Sequence, residues 1–368
     1  MRRMTPAQRG SRAMSDKMTI SRRAVLNTFG IAAAGAVAAP AVITRSLAAG
    51  NTLVVYNFDG LLGKVIKDHW IDPFAQKTGA KVEVLTMQGS SPPMAKIKAQ
   101  VDAGRPDADV IPMQMTDYVY GVRNNLFQTI DARDMPEFAN LYPDYITPHG
   151  PKLVLWSYGL AYNTDRIKTP PTAWADLWDP QYKGKASINE ALFDQALQMA
   201  NLVSKGKPLP VDDGTFASLT KLRPNLATLW TTGAQAEQLL RTGEVWIMAV
   251  WNGRVYPLKD QGVPIDFVSP KEGFFTRSDP FCIPRGARNP ELAKAFINFS
   301  CTVAPQQALA EKLFYASPNQ KVVYPPEIAR RVVVSTREEL ARAVPENYEV
   351  IVDSLPDWRR RWDAWKQS

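Results

Sequence analysis

From Thr52 onwards, short apolar runs alternate with amphipathic ones, and this alternation limits the possible folds more than any other property of the chain. Thr52 to Tyr56 reads as a strand opening onto Asn57-Phe58-Asp59-Gly60. A helical pattern follows as far as Thr78 and stops at Gly79, and Lys81 to Leu85 is a second strand. Pro93 to Ala103 is amphipathic helix, and Asp109 to Ile111 is a short strand ending at Pro112-Met113-Gln114-Met115-Thr116. Strand, helix and strand in succession imply a mostly parallel sheet with helices on both faces, so the chain is expected to be α/β.

The same rhythm occurs twice. Leu153 to Asn163 reads as two extended pieces around Trp156-Ser157-Tyr158-Gly159, a crossing into a second lobe. Beyond it come a short helix at Ala173 to Trp178, a strand at Lys185 to Ile188 and helices at Leu192 to Ser204 and Asp213 to Leu222. Ala227 to Trp230, Gln235 to Arg241 and Val245 to Val250 continue the pattern as strand, helix and strand. Near Val268 to Pro270 the chain should cross back, because Phe281-Cys282-Ile283 and the helix Glu291 to Ser300 would otherwise lack a sheet to cover. The expected division is residues 51–155 and 270–320 in lobe 1, and 156–269 and 321–368 in lobe 2. The tail from Tyr324 reads as helical, and Trp358, Trp362 and Trp365, at i, i+4 and i+7, read as a packing face.

Before this region, Ser21-Arg22-Arg23-Ala24-Val25-Leu26 precedes an Ala/Gly run from Phe29 to Val42 and the small residues Leu47-Ala48-Ala49-Gly50. That is the pattern of a twin-arginine export leader over residues 1–49, and it implies a periplasmic protein. The run is too short and too rich in Ala and Gly to read as a membrane anchor. Met14 and Met18 are alternative starts, since the arginine pair lies beyond residue 20. Of the formal charge of +8, residues 1–50 carry +7, from eight Lys/Arg and Asp16, which leaves +1 for the rest. A nucleic-acid or acidic-membrane partner therefore loses its main support. About 320 residues remain, enough for two lobes with a core each.

Metal and cofactor chemistry find little footing. His69 and His149 are the only histidines, and neither stands in metal-ligand spacing with a cysteine or with the other. Cys282 and Cys301 could form a bridge in an oxidising compartment, while their apolar neighbours equally suit buried free thiols. The sequence contains no G-x-S-x-G, P-loop or Rossmann glycine signature, so no cofactor is expected and an exported enzyme is the weaker alternative.

The stretch from Gly243 to Pro284 carries Trp251, two arginines and Asp279 on what read as turns between apolar strands. Trp251-Asn252-Gly253-Arg254 falls at the carboxyl end of the strand Val245 to Val250, the place where open α/β sheets bind ligands. Each of these residues also has a plainer reading. Trp251 could cap a core strand, Arg254 could be a solvated helix residue, and Ser278-Asp279-Pro280 could be an ordinary turn.

Several segments resemble one family, the periplasmic substrate-binding proteins of ABC importers, in its spermidine and putrescine receptor branch. Thr172-Ala173-Trp174-Ala175-Asp176-Leu177-Trp178-Asp179-Pro180-Gln181-Tyr182-Lys183-Gly184 is similar to the family's S/T-W-x-D-L-W-x-P-x-Y-K-G segment. Gly243-Glu244-Val245, Trp251-Asn252-Gly253, Gly262-x-Pro264-Ile265-Asp266, Pro270-Lys271-Glu272-Gly273 and Ala293 to Phe299 follow in the family's order. The resemblance covers residues 51 to 368. It implies a two-lobed periplasmic binding protein fold of type II, with the ligand held in a cleft between lobes joined by crossing strands.

The resemblance also assigns roles. Trp251 matches a position whose indole lines the amine site, and Asp279 one whose carboxylate accepts an amine; physically, an indole face attracts ammonium and a buried ammonium needs a carboxylate. Phe58 and Tyr315 match site aromatics, Asp59 is a weaker match, and Gln114 and Thr116 lie on a loop where the family places polar and aromatic contacts. Where polyamine receptors hold a second amine with acids, the nearest matching positions here are Leu192 and Gln195, although Asp194 and Glu190 are one residue out of step. Arg254 replaces a small residue, and a Trp-x-x-Arg pair with an Asp from the other lobe resembles the γ-aminobutyrate receptors of the same branch. Arg277 could add positive charge, or form a surface ion pair with Asp279.

The implied function is a monomeric, exported, non-catalytic receptor that delivers a small amine-bearing solute to a membrane permease. A zwitterionic ω-amino acid such as γ-aminobutyrate is favoured, with putrescine or spermidine as the alternative. Presentation of the ligand to a membrane sensor would use the same closed state.

Overall fold

The computed structural model describes residues 50–368 apart from 88, 90, 335 and 336. The twin-arginine leader read from residues 1–49 lies outside the described residues.

The first strand, β1 (Thr52–Asn57), pairs in parallel with β2 (Lys81–Thr86), from Thr52 opposite Lys81 to Asn57 opposite Thr86. Between them run α1 (Gly60–Ile66) and α2 (Asp72–Thr78), joined by a π-turn at Lys67–Ile71. Pro73 cannot donate to a carbonyl four residues back and its ring crowds that carbonyl, and the widened turn just ahead of it accommodates both effects. Gly79, left-handed at φ 70°, ends the helix where the sequence pattern stops. After α3 (Met94–Asp102) come β3 (Ile111–Pro112) and α4 (Met115–Arg123). The buried Asp109 carboxylate accepts from Val54 N and Asn289 N, both at 2.9 Å, and so ties β1 to a segment 180 residues beyond Asp109.

Next come β4 (Ile146–Thr147) and β5 (Gly150–Asn163), then β6 (Ala186–Asn189), α5 (Phe193–Lys205), α6 (Asp213–Leu222) and β7 (Leu226–Trp230). The chain continues through α7 (Gly233–Thr242), β8 (Ile247–Trp251), α8 (Asn252–Asp260), β9 (Ile265–Val268) and β10 (Phe275–Cys282). The last part holds α9 (Pro290–Ser300), α10 (Val303–Leu313), α11 (Pro326–Ala329), α12 (Arg337–Leu340) and α13 (Tyr348–Gln367).

Strands β3, β10, β5, β8, β6 and β7 lie side by side in that order, and β4 and β9 also pair with β5. The first half of β5 pairs antiparallel with β10 and its second half with β8 and β9, so β5 and β10 carry the chain from one half of the molecule to the other. Whereas the sequence suggested two extended pieces around Trp156-Ser157-Tyr158-Gly159, β5 is one unbroken strand. Gly159 serves close approach rather than a break: a Cβ there would lie 2.6 Å from both Phe267 Cζ and Val268 O of β9.

The expected mostly parallel sheet is revised as well, since β5 pairs antiparallel with β4, β8, β9 and β10, and β10 with β3, so that parallel pairing between strands is confined to β1–β2 and to β6 with β7 and β8; a further revision concerns β10. Arg277 and Asp279 are not on a turn before a strand at Phe281; they lie within β10, whose register against β5 shifts between Asp279 and Pro280. Proline has no N–H for the ladder and is tolerated at such an irregularity, which also re-aims the neighbouring side chain.

Packing explains the remaining motifs. Trp174, fully buried, donates from its indole to Gly273 O at 2.7 Å, and its backbone N–H donates to Glu272 at 3.1 Å. The two sequence segments that carry much of the family resemblance thus hold each other. In α13, Trp358, Trp362 and Trp365 are buried as a packing face, and the helix lies against both α4 and α5. Cys282 and Cys301 are buried free thiols, and burial pushes both thiol pKa values up. Among the described residues, no helix is long and apolar enough to cross a membrane.

Candidate functional site

Three parallel strands aim one edge at the same place. β6 is parallel to both β7 and β8, so their carboxyl ends share one side of the sheet. The chain leaves β7 through Thr231 and Thr232 into α7, and leaves β8 at Trp251, which is the N-cap of α8. Beside this edge lies a cavity with about 390 Å³ of empty space, counting the space at its mouth. Phe58, Asp59 and Leu62 line it from the end of β1 and α1. Thr231, Thr232, Gly233, Trp251 and Arg254 line it from the β7 and β8 side, with Trp156, Asp279 and Tyr315 between.

Its walls are aromatic. Trp251 is held edge-on against Trp230 (4.9 Å between centroids, 81°) and against Trp156 (5.6 Å, 75°). Edge-to-face packing of this kind stiffens the indole beyond what burial alone achieves. Trp251 Nε1 is buried with no hydrogen-bond partner in the protein. Asn252, next in sequence, fixes the corner: its Nδ2 donates to Phe314 O at 2.7 Å and its Oδ1 accepts from Ser157 N at 3.3 Å.

Asp279 is 1% exposed. One carboxylate oxygen accepts from Trp156 Nε1 at 3.3 Å, and the other has no partner in the protein. Burial pushes its pKa well above the usual carboxylate range, and the Trp156 hydrogen bond and the nearby Arg277 guanidinium oppose that shift only in part. A cation placed against the free oxygen would restore the ionised form.

Arg254 is 4% exposed, not a solvated helix residue. Its Nη1 donates to Glu237 of α7 at 2.7 Å, and its Cζ lies 5.8 Å from the Trp251 ring centroid. Nε is buried without a partner. The guanidinium is wedged against the start of α7, where a Cβ on Gly233 would come within 2.6 Å of Cζ and Nη2. The site thus has an unspent guanidinium edge beside a helix N-terminus, both of which favour an anion. Tyr315 lies between the two charges: burial pushes its hydroxyl up to about 12, with Arg254 lowering and Asp279 raising it.

Six of the residues singled out in the sequence, Phe58, Asp59, Trp251, Arg254, Asp279 and Tyr315, therefore meet at one cavity. Gln114, Thr116, Gln195 and Arg277 do not line it. Gln114 is the buried N-cap of α4, with Thr116 in the first turn, and Gln195 is buried in α5 with neither amide atom partnered. Arg277 is not a surface residue and is not paired with Asp279; it is 2% exposed and bonded to Asp194 and Glu346. The two acids one residue out of step are both engaged, Asp194 by Arg277 and Glu190 by Lys366. Trp156 and the Thr231-Thr232-Gly233 corner were missed. The carboxyl-end rule that drew attention to Trp251 applies equally to the end of β7, and the alternation Trp156, Tyr158 along β5 could have placed Trp156 on the same face.

Comparison with known proteins bears on what such a site is for. Residues 69–335 match the family described as bacterial extracellular solute-binding protein. The chain is 26% identical over 353 residues to a gamma-aminobutyric acid-binding protein of Pseudomonas aeruginosa, covering 92% of this chain and 95% of that one. It is 30% identical over 293 residues to a spermidine/putrescine-binding periplasmic protein of Escherichia coli, covering 76% and 81%. Among solved structures, an ABC transporter substrate-binding protein from Bradyrhizobium japonicum matches with a TM-score of 0.75 at 25% identity, covering 85% and 99%. The two halves joined by β5 and β10, with an aromatic cavity between them, are thus the two lobes of a binding protein rather than an enzyme, and the chain belongs to the bacterial extracellular solute-binding proteins of ABC transporters.

Proposed function

We propose that the cavity captures a zwitterionic ω-amino acid such as γ-aminobutyrate. The observation that carries this reading is that Asp279 and Arg254 line one aromatic cavity, each buried and each with an unpartnered polar atom. In this reading the ligand ammonium meets the free oxygen of Asp279. Its carboxylate meets the open edge of Arg254 at the start of α7, and Phe58, Trp251 and Tyr315 cover the methylenes. The relative named as a gamma-aminobutyric acid-binding protein supports the same assignment.

Contacts from both lobes would bias the protein toward its closed form, which a membrane permease then recognises. We assign residues 51–155 and 270–320 to one lobe and 156–269 and 321–368 to the other, and propose that the chain works as a monomer exported to the periplasm by its twin-arginine leader. A polyamine is the second reading. The Glu237 ion pair offsets part of the Arg254 charge, and relatives named for spermidine and putrescine match the chain.

Tryptophan fluorescence separates the requirement for each end. γ-Aminobutyrate should perturb the emission, while butylamine and butyrate, which each lack one charged end, should bind at least a hundredfold more weakly. Equal binding of butylamine would remove the carboxylate from the account.

A further inference from the structure

We propose that Arg277 is a built-in cation that fills the acidic end of the cleft and excludes a second ligand ammonium, restricting the site to solutes with one amine. This rests on the reading that a ligand ammonium meets Asp279. Arg277 and Asp279 are two residues apart on β10, so their side chains leave the same face of the strand, about 6.7 Å apart along it. Arg277 is also directly opposite Trp156 of β5, the residue that lines the cavity and donates to Asp279. The Arg277 side chain therefore springs from the same sheet face as Trp156 and Asp279, which line the cavity, and its backbone position is one side-chain step along the strand from Asp279.

Acids from separate parts of the chain converge on it. Arg277 Nε donates to both Glu346 oxygens at 3.0 Å, and Nη2 donates to Glu346 at 2.5 Å and to Asp194. Asp194 lies in the first turn of α5, and Glu346 just ahead of α13. Tyr348 Oη donates to Glu346 at 3.0 Å and Gln198 Nε2 donates to it at 3.3 Å, fixing that carboxylate. Asp117, in the first turn of α4, is close enough that Asp194 adds to the upward shift of its carboxyl caused by burial.

Two carboxylates thus face one guanidinium in a nearly dry site, which is acidic without Arg277. A guanidinium stays charged at any working pH and is tethered to the chain, so no solute ammonium can take its place. A diamine anchored at Asp279 would bring its second charge against Arg277, with Asp194 and Glu346 already engaged by that guanidinium, a costly arrangement out of water.

The test is Arg277→Ala in the mature protein, titrated calorimetrically with putrescine beside the wild type. Putrescine affinity should rise at least tenfold, and addition of Asp194→Asn should cancel the gain. A folded R277A with wild-type putrescine affinity would overturn the proposal, as would loss of γ-aminobutyrate affinity without any gain for putrescine, which would make Arg277 a carboxylate contact. If R277A does not fold alone, putrescine must restore a cooperative melt, and the triple variant R277M/D194N/E346Q must fold without responding to putrescine; failure of either also counts against it. Should γ-aminobutyrate not bind the wild type, the ligand assignment falls, yet the comparison of putrescine between wild type and R277A remains readable.

Discussion

At the scale of single residues, the proposal rests first on Asp279, buried in the cavity with one carboxylate oxygen unpartnered. Burial raises its pKa, so folding favours the protonated carboxyl. The favourable contribution is complete below the ordinary carboxylate range and is lost as pH rises through the elevated value, so burying this carboxyl weighs against the folded protein as pH rises unless a cation meets it. Asp279→Asn should therefore raise the melting temperature of the ligand-free protein at neutral pH by a few degrees and leave it unchanged in acid. The same variant should lose amine binding by two orders of magnitude or more, measured by calorimetry. In the proposed binding mode Arg254 takes the other end of the ligand. Arg254→Ala should weaken γ-aminobutyrate roughly 10- to 100-fold, the worth of a charge-assisted hydrogen bond, and Arg254→Lys should recover little because a point charge cannot reproduce the planar fork. A full recovery by lysine would argue for charge alone. The placement of Trp251 and Asp279 at the cavity was legible in the sequence because Trp251 sits in one of the ordered family segments and Asp279 falls between two others. Arg277 was not: its partners Asp194 and Glu346 are 83 and 69 residues away, and no local pattern reveals such a pairing.

At the scale of elements, the start of α7 holds Arg254 in place. Gly233→Ala would put a Cβ 2.6 Å from the guanidinium, which must shift. The expected result is an affinity loss approaching that of Arg254→Ala, with little loss of stability, because Gly233 is the first residue of α7 and its φ is not positive, a backbone that alanine adopts without strain. A comparable drop in melting temperature would instead mark Gly233 as structural. Gly159 in β5 is the contrasting case. Alanine there meets Phe267 and Val268 O at 2.6 Å, so Gly159→Ala should cost about 1–3 kcal/mol of stability, read from denaturant unfolding. Period and punctuation sufficed to locate most strands and helices, since α6 spans the expected Asp213–Leu222 and the first helical region stops at Gly79. They failed where tertiary contact reversed a local signal. Trp156-Ser157-Tyr158-Gly159 reads as an interruption but lies within one strand where Gly159 serves close packing, and Pro280 reads as the end of a turn but occupies an irregularity inside β10.

At the scale of the whole molecule, the two crossing strands do more than connect the lobes. β5 supplies Trp156 and β10 supplies Asp279, so the connection between lobes forms the floor of the site, and Phe58 and Trp251 approach from either side. The two-lobed α/β architecture was legible from the doubled strand–helix rhythm, together with the family segments. Ligand identity was less so, because it depends on which buried charges remain unspent once the chain has paired the rest. Calorimetric titration of the purified mature protein with γ-aminobutyrate and with putrescine tests that balance directly. Saturable heat at micromolar γ-aminobutyrate with at least a hundredfold weaker putrescine is the expected result; micromolar binding of putrescine with no heat from γ-aminobutyrate would contradict the account.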